Sequence, residues 1–219
     1  MDIFRQIIIL FRKDFLLEFR MGYAISGILL YVCSTVFIVY AAFIDVEPAI
    51  WNILFWIIIL FASVNAIVKS FVQENSQQQL YYYSLAHPIA VFLSKVIYNA
   101  LLLMVLSLLT WLAFGFISEN PVQDSGLFLL ALFLGSMGFA TTFTFIAAIA
   151  GKADNNSTLM AILSFPLVIP IIMTLIKMSG AAMELVEAQN LQNDILILVA
   201  INMILLSMAL ILYPFLWRD

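Results

Sequence analysis

The sequence predicts an all-α membrane protein. Six transmembrane helices follow an N-terminal amphipathic helix in the membrane interface, and both termini are cytoplasmic. Three observations carry that reading. Of 219 residues, 65% are hydrophobic and 10% charged, with a mean hydropathy of +1.11; a soluble domain needs far more charge to cover its surface. Apolar runs fill most of the chain, and a bilayer core about 30 Å thick takes roughly 20 apolar residues per helix. Almost every basic residue falls on one side of those runs. The runs must be helical, because lipid offers no partner to an open strand edge, and they lack the alternation of barrel strands.

Residues 1–21 form the interfacial helix and residues 22–219 one membrane domain, with no internal repeat. Within 2–20, Arg5, Gln6, Arg12, Lys13 and Arg20 fall on one polar stripe at helical spacing, and Ile3, Phe4, Ile7, Ile8, Phe11, Phe15 and Phe19 cover much of the rest. Such a helix lies along the inner leaflet with its basic stripe toward headgroups. Asp14 and Glu18 fall on the apolar side, one turn apart. They pair with a local Arg or Lys, or they contact the spans or a partner subunit. The stretch is not a cleaved signal peptide: charges are spread through it, and the apolar run that follows is too long.

The spans cover 23–44, 49–68, 88–117, 127–150, 159–178 and 195–217. Asp45, Glu47 and Pro48 separate the first two, and proline suits a first helical turn because its missing N–H costs nothing there. Glu119, Asn120, Pro121, Asp124, Ser125 and Gly126 make a turn-rich break. GKADNNS at 151–157 is a short polar hairpin, and 180–194 is the longest break in the second half. In the fourth span, Gly135, Ser136, Gly138 and Ala140 offer a close-packing surface. Asn65, Asn99, Thr110, Thr141, Thr142, Thr144 and Asn202 are positions for interhelical hydrogen bonds. Cys33 is the one cysteine, which excludes an intramolecular disulfide, and reads as a small buried apolar residue.

With the N-terminus in the cytoplasm, Arg5, Arg12, Lys13, Arg20, Lys69, Lys95, Lys152 and Arg218 fall inside and only Lys177 outside, as the positive-inside rule demands. Asp45, Glu47, Glu119, Asp124, Glu184, Glu187 and Asp194 make the outer face acidic, in line with the net charge of −4.

The segment 72–87, VQENSQQQLYYYSLAH, is the one sizeable polar stretch inside besides the N-terminus. It reads either as an ordinary loop with Tyr at the membrane boundary or as a short helix set against a cytosolic partner. An interfacial helix, six spans and a polar loop after the second span resemble the membrane subunits of ABC-2-type transporters. More narrowly, the chain resembles the haem exporter protein B family of cytochrome c maturation. FRKDFLLEFR at 11–20, the span 51–69 leading to Glu74, His87-Pro88 through Leu93-Ser94-Lys95, and SFPLVIPII at 164–172 carry the likeness. The loop departs from it: Gln77-Gln78-Gln79-Leu80-Tyr81 stands where a Gly-x-Leu-Glu-like element is common.

The resemblance implies a non-catalytic inner-membrane subunit that couples ATP hydrolysis elsewhere to haem export or to release of a haem-loaded chaperone. It places ATPase coupling at Glu74, Gln78, Gln79 and Tyr82 with Asp14 and Glu18. The implied partners are an ABC ATPase subunit, haem-handling membrane proteins, a second membrane subunit or homodimer, and lipid, with no nucleic acid. Haem is the handled ligand and no cofactor is bound directly. An ABC-2 permease for lipid, polysaccharide or drug, and a non-transporting scaffold, are the rival readings.

The residues agree with a partner-driven role. GKADNNS has a Gly-Lys pair but lacks the upstream glycine and the following Ser/Thr of a phosphate loop, so ATP hydrolysis belongs to another polypeptide. No His/Cys/Asp/Glu cluster has metal-ligand spacing, and one histidine makes no triad. His87 is either a haem ligand or an ordinary polar helix-start residue. Lys69 and Lys95 either snorkel at the inner boundary or meet a ligand carboxylate. Pro166 and Pro170 each remove a helical hydrogen bond and give a static bend or a hinge.

Overall fold

The computed structural model describes residues 3–21, 23–42, 46–72, 86–151, 156–185 and 191–216, with backbone alone at 18–21, 23–25, 28, 68–72 and 156–161. Its helices in chain order are α1 (Ile3–Met21), α2 (Tyr23–Ala42), α3 (Pro48–Val72), α4 (Pro88–Ile117), α5 (Ser125–Ala150), α6 (Asn156–Ala182) and α7 (Leu191–Leu216), and no strand occurs among the described residues. Five of them, α3 to α7, are long and apolar enough to cross a membrane. The place of the first expected span is taken by α2, with the shorter apolar stretch Leu29–Ala42.

Local chemistry sets the ends. Pro48 and Pro88 open α3 and α4, and His87 precedes the latter in an extended conformation. Asp124 caps α5: its Oδ1 accepts from Gly126 N and Leu127 N, each at 3.0 Å, satisfying two of the amides a helix start leaves bare. The break expected from Gly180 begins later, because α6 runs on to Ala182. It closes when Glu184 takes the left-handed conformation at φ 56°. Leu185 N then donates to Gly180 O at 3.0 Å and Glu184 N to Ala181 O at 3.1 Å, the paired bonds of a Schellman stop.

The bundle is built around α5. Of its most apolar window 72% is buried, against 11% for α7 at the periphery. Packed against α5 are α3, α4, α6 and α7, while α2 leans on α3 and α4, and α1 lies chiefly along α4. Close approach is possible because α5 presents glycine. A Cβ on Gly135 would come 3.0 Å from both the Trp56 ring and Leu175 Cδ1, and one on Gly138 would come 2.6 Å from Asn202 Oδ1. The small-residue surface read from the sequence is therefore the contact surface, with Ser136 and Ala140 also buried.

Outside that centre, hydropathy did not foretell facing. Cys33 is exposed, not buried; it lies with Ser34 and Phe37 in a shallow outward groove closed by Ala113 and Ile117. In a bilayer the outer surface is as apolar as the core, so an apolar environment does not mean an interior one.

One end of the bundle gathers acids. Trp51 Nε1 donates to Ser118 Oγ at 3.0 Å, and Gln123 N and Asp124 N donate to Ala182 O at 3.0 and 2.9 Å. These bonds bring the start of α3, the α4–α5 turn and the end of α6 together, and with them Glu47, Glu119, Asp124 and Glu184. Arg5, Arg12 and Lys13 belong to α1, at the other end of α4. The charge segregation seen along the sequence is thus a segregation in space.

Candidate functional site

Two regions hold the described residues singled out from the sequence: the base of α4 with α1, and the proline helix α6 with the surface that holds it.

At the base of α4, His87 is exposed and its imidazole makes no capping bond. Its backbone N donates to Gln6 Oε1 at 2.9 Å, which ties α1 to the start of α4. Further along, the Phe11 ring meets Tyr98 edge-on at 6.4 Å. Lys95 lies between these two ties in the chain and is only 5% exposed. The snorkelling reading of Lys95 is therefore overturned: its side chain is enclosed by protein, because α1 and the neighbouring spans cover this part of α4. Phe92, Val96, Phe145, Ala209 and Tyr213 form a small buried cluster beside it. Asp14 forms an ion pair with Lys13 at 2.9 Å, which is the local pairing expected as one of its two readings. Glu74, Gln78, Gln79 and Tyr82 lie outside the described residues, as do the side chains of Glu18 and Lys69.

In α6 both prolines lie inside the helix and face outward. Without an N–H, they leave Ile162 O and Pro166 O with no helical donor. About two turns beyond Pro170 the same helix is held by α3. Trp56 Nε1 donates to Ser179 Oγ at 2.8 Å, and Asn52 Nδ2 donates to Ile176 O at 2.8 Å. Ser179 Oγ lies 2.6 Å from both Asn52 Oδ1 and Leu175 O, so its single hydrogen serves one of the two. Asn52, Trp56 and Ser179 are all buried, and such bonds in a membrane bundle are worth about 0.6–2 kcal/mol each. This clamp was not foreseen. Its trace in the sequence is the doublet Trp51-Asn52 followed one turn later by Phe55-Trp56, which puts Asn52 and Trp56 on one line; beside them Trp51 stacks on Phe55 at 5.3 Å and on Phe114 of α4 at 4.8 Å.

The polar positions within spans divide. Asn99 Nδ2 donates to Thr144 Oγ1 at 2.8 Å, joining α4 to α5, and Asn202 Nδ2 donates to Leu134 O at 3.0 Å, joining α7 to α5. Thr110 bonds back to Leu106 O in its own helix, and Asn65 is exposed. Asn99 Oδ1, Thr142 Oγ1 and Asn202 Oδ1 are buried without a protein hydrogen-bond partner. Among the described residues no group of His, Cys, Asp or Glu could hold a metal.

An all-helical bundle with an apolar exterior, charge separated between its ends and no assembled reactive cluster among the described residues defines a multi-pass membrane protein. Comparison with protein families gives the narrower assignment: the family model described as CcmB protein matches residues 5–217. The chain belongs to the CcmB family. That makes it a membrane component of an ABC-type haem-export system of cytochrome c maturation. No curated protein matches the chain.

Proposed function

We propose that this chain is the subunit through which ATP hydrolysis on a separate ABC ATPase drives haem export, or the release of a haem-loaded chaperone, during cytochrome c maturation. The observation that carries the proposal is the family match over residues 5–217. The chain itself is not an enzyme and binds no cofactor directly; haem is the ligand its complex handles. It sits in the bacterial inner membrane with six spans, α2 being the first, and with both termini in the cytoplasm. The distribution of Lys and Arg supports that orientation. A second membrane subunit or a second copy completes the assembly.

The segment that joins α3 to α4, with Glu74, Gln78, Gln79 and Tyr82, docks the ATPase, and Asp14 and Glu18 of α1 couple it to the bundle. The geometry supports this division, because α1 is tied to His87 at the end of that segment. Movement reaches α6 through Pro166 and Pro170, where the ladder is open, while the outer turns stay clamped by Asn52, Trp56 and Ser179. His87, exposed at this surface, Lys69 and Lys95 are the positions for contact with the handled ligand.

The test is affinity purification in mild detergent with mass spectrometry of what co-purifies, beside a Glu74→Arg variant. The proposal requires an ATPase and haem-handling membrane proteins with the native chain, and loss of the ATPase with the variant. An ATPase alone replaces it with a general ABC-2 exporter, and no ATPase in any detergent replaces it with a scaffold.

A further inference from the structure

One face of α1 packs against the bundle and the other is left uncovered by the described residues, and that outer face has a composition of its own. Gln6, Ile7, Leu10, Phe11 and Asp14 are half-buried. At about 100° per residue, the opposite side carries Arg5, Ile8, Ile9, Arg12 and Leu16, and all five are exposed. Basic and aliphatic residues thus alternate along one line. Ile9, Arg12, Lys13, Leu16 and Leu17 line a shallow groove there. Asp14 points to the packed side and is engaged by Lys13, so it does not neutralise Arg12.

The position of α1 along α4 fixes its depth. With 30 residues, α4 is about 45 Å long and exceeds the hydrocarbon core by about 15 Å. At the acidic end α4 stops level with its neighbours, since Ser118 meets Trp51 in the first turn of α3. The excess therefore lies at the α1 end, and α1 touches that part of α4, between His87 and Tyr98. The outward face of α1 sits at headgroup level.

We infer that this face is a binding site for an anionic phospholipid: the phosphate rests against the Arg12 guanidinium, with Arg5 beside it, and an acyl chain lies across Ile9, Leu16 and Leu17. Guanidinium is the side chain best shaped for phosphate, giving two parallel N–H···O bonds. Charge complementarity selects the lipid class, because a zwitterionic headgroup brings its own cation against two arginines. The aliphatic residues between the arginines select a lipid over a cytosolic protein, which would leave Ile8, Ile9 and Leu16 at a water boundary.

The experiment titrates the purified full chain in detergent micelles with phosphatidylglycerol or phosphatidylcholine and counts bound lipid by native mass spectrometry. Phosphatidylglycerol should bind more tightly, and Arg12→Gln should weaken it about fivefold, the effect of one basic residue near an anionic headgroup, without changing phosphatidylcholine. Arg12→Lys should keep part of the preference, and Ile9→Ser should weaken both lipids. Lys177→Gln, a basic exposed position on α6 near the acidic end, should change nothing. Equal affinity for the two lipids overturns the site, as does an equal effect of Lys177→Gln. Displacement of the lipid by inorganic phosphate also overturns it, since the groove would then be a bare anion site. Each variant is checked for an unchanged helical melting curve, so that loss of fold is not read as loss of lipid.

Discussion

Replacing Gly138 by alanine should have opposite signs in two backgrounds. In the native chain the new Cβ would stand 2.6 Å from Asn202 Oδ1 and 3.3 Å from Ile171 Cγ2. The first distance is untenable, so the Asn202 amide must turn, and its 3.0 Å bond to Leu134 O breaks. That bond is worth about 0.6–2 kcal/mol in a membrane bundle, and the freed amide, still buried, adds desolvation of about 1 kcal/mol. Against this, alanine favours the helix by up to about 1 kcal/mol over glycine. The net result is a loss of about 1–2 kcal/mol. With Asn202→Ala already in place there is no amide to displace; only Ile171 must shift by a few tenths of an ångström. Gly138→Ala should then be neutral or stabilising. The helix-propensity gain appears in both backgrounds and cancels, so the coupling energy reports the Gly138–Asn202 contact alone. Reversible unfolding in mixed micelles measures all four proteins. A coupling energy within about 0.3 kcal/mol of zero, the additivity of independent sites, would refute the reasoning.

Ser179→Ala removes the acceptor of Trp56 Nε1 and the partner of Asn52, and should cost about 1–3 kcal/mol in the same assay; Ser179→Cys, which keeps the volume but bonds only weakly, should cost nearly as much if the lost bonds, not volume, are the cause. Glu184→Gly should stabilise by about 1 kcal/mol, because Glu184 sits at φ 56°, where a Cβ is crowded and glycine is not. Cys33 is exposed on the bundle surface, so a membrane-soluble maleimide should label it in the folded protein; labelling only after denaturation would place it in the interior.

Much of this molecule is legible in its sequence. Pro88 and Ile117 bound α4 as the fourth element just where the apolar run began and ended, because a proline and a polar turn leave little choice. Gly135 and Gly138 marked the contact face of α5, since small residues have one main use between membrane helices. The proline pair of α6 was visible as a break in the hydrogen-bond ladder. Other expectations failed for a reason they share. Cys33 was read as interior and is outward; Lys95 was read as snorkelling and is enclosed; Asn65 was read as an interhelical donor and is exposed. In each case the residue type was right for a membrane helix and the direction it faces was not recoverable, because an apolar span surrounded by lipid carries little amphipathic pattern.

The sequence by itself determined that the chain is a helical membrane protein, where its apolar runs start and stop, how its charges segregate, and which family it resembles. Composition and run length settle those properties, since a bilayer punishes bare backbone and stray charge wherever they occur. Only the tertiary structure decided that α5 is the centre and α7 the edge, that Asn52, Trp56 and Ser179 clamp one end of the proline helix, and that α1 covers the base of α4 while showing arginines and aliphatics to the headgroups. These depend on which helix faces rest against one another, and faces are chosen by packing, small residues and a few hydrogen bonds between positions more than 100 residues apart, such as Asn52 and Ser179.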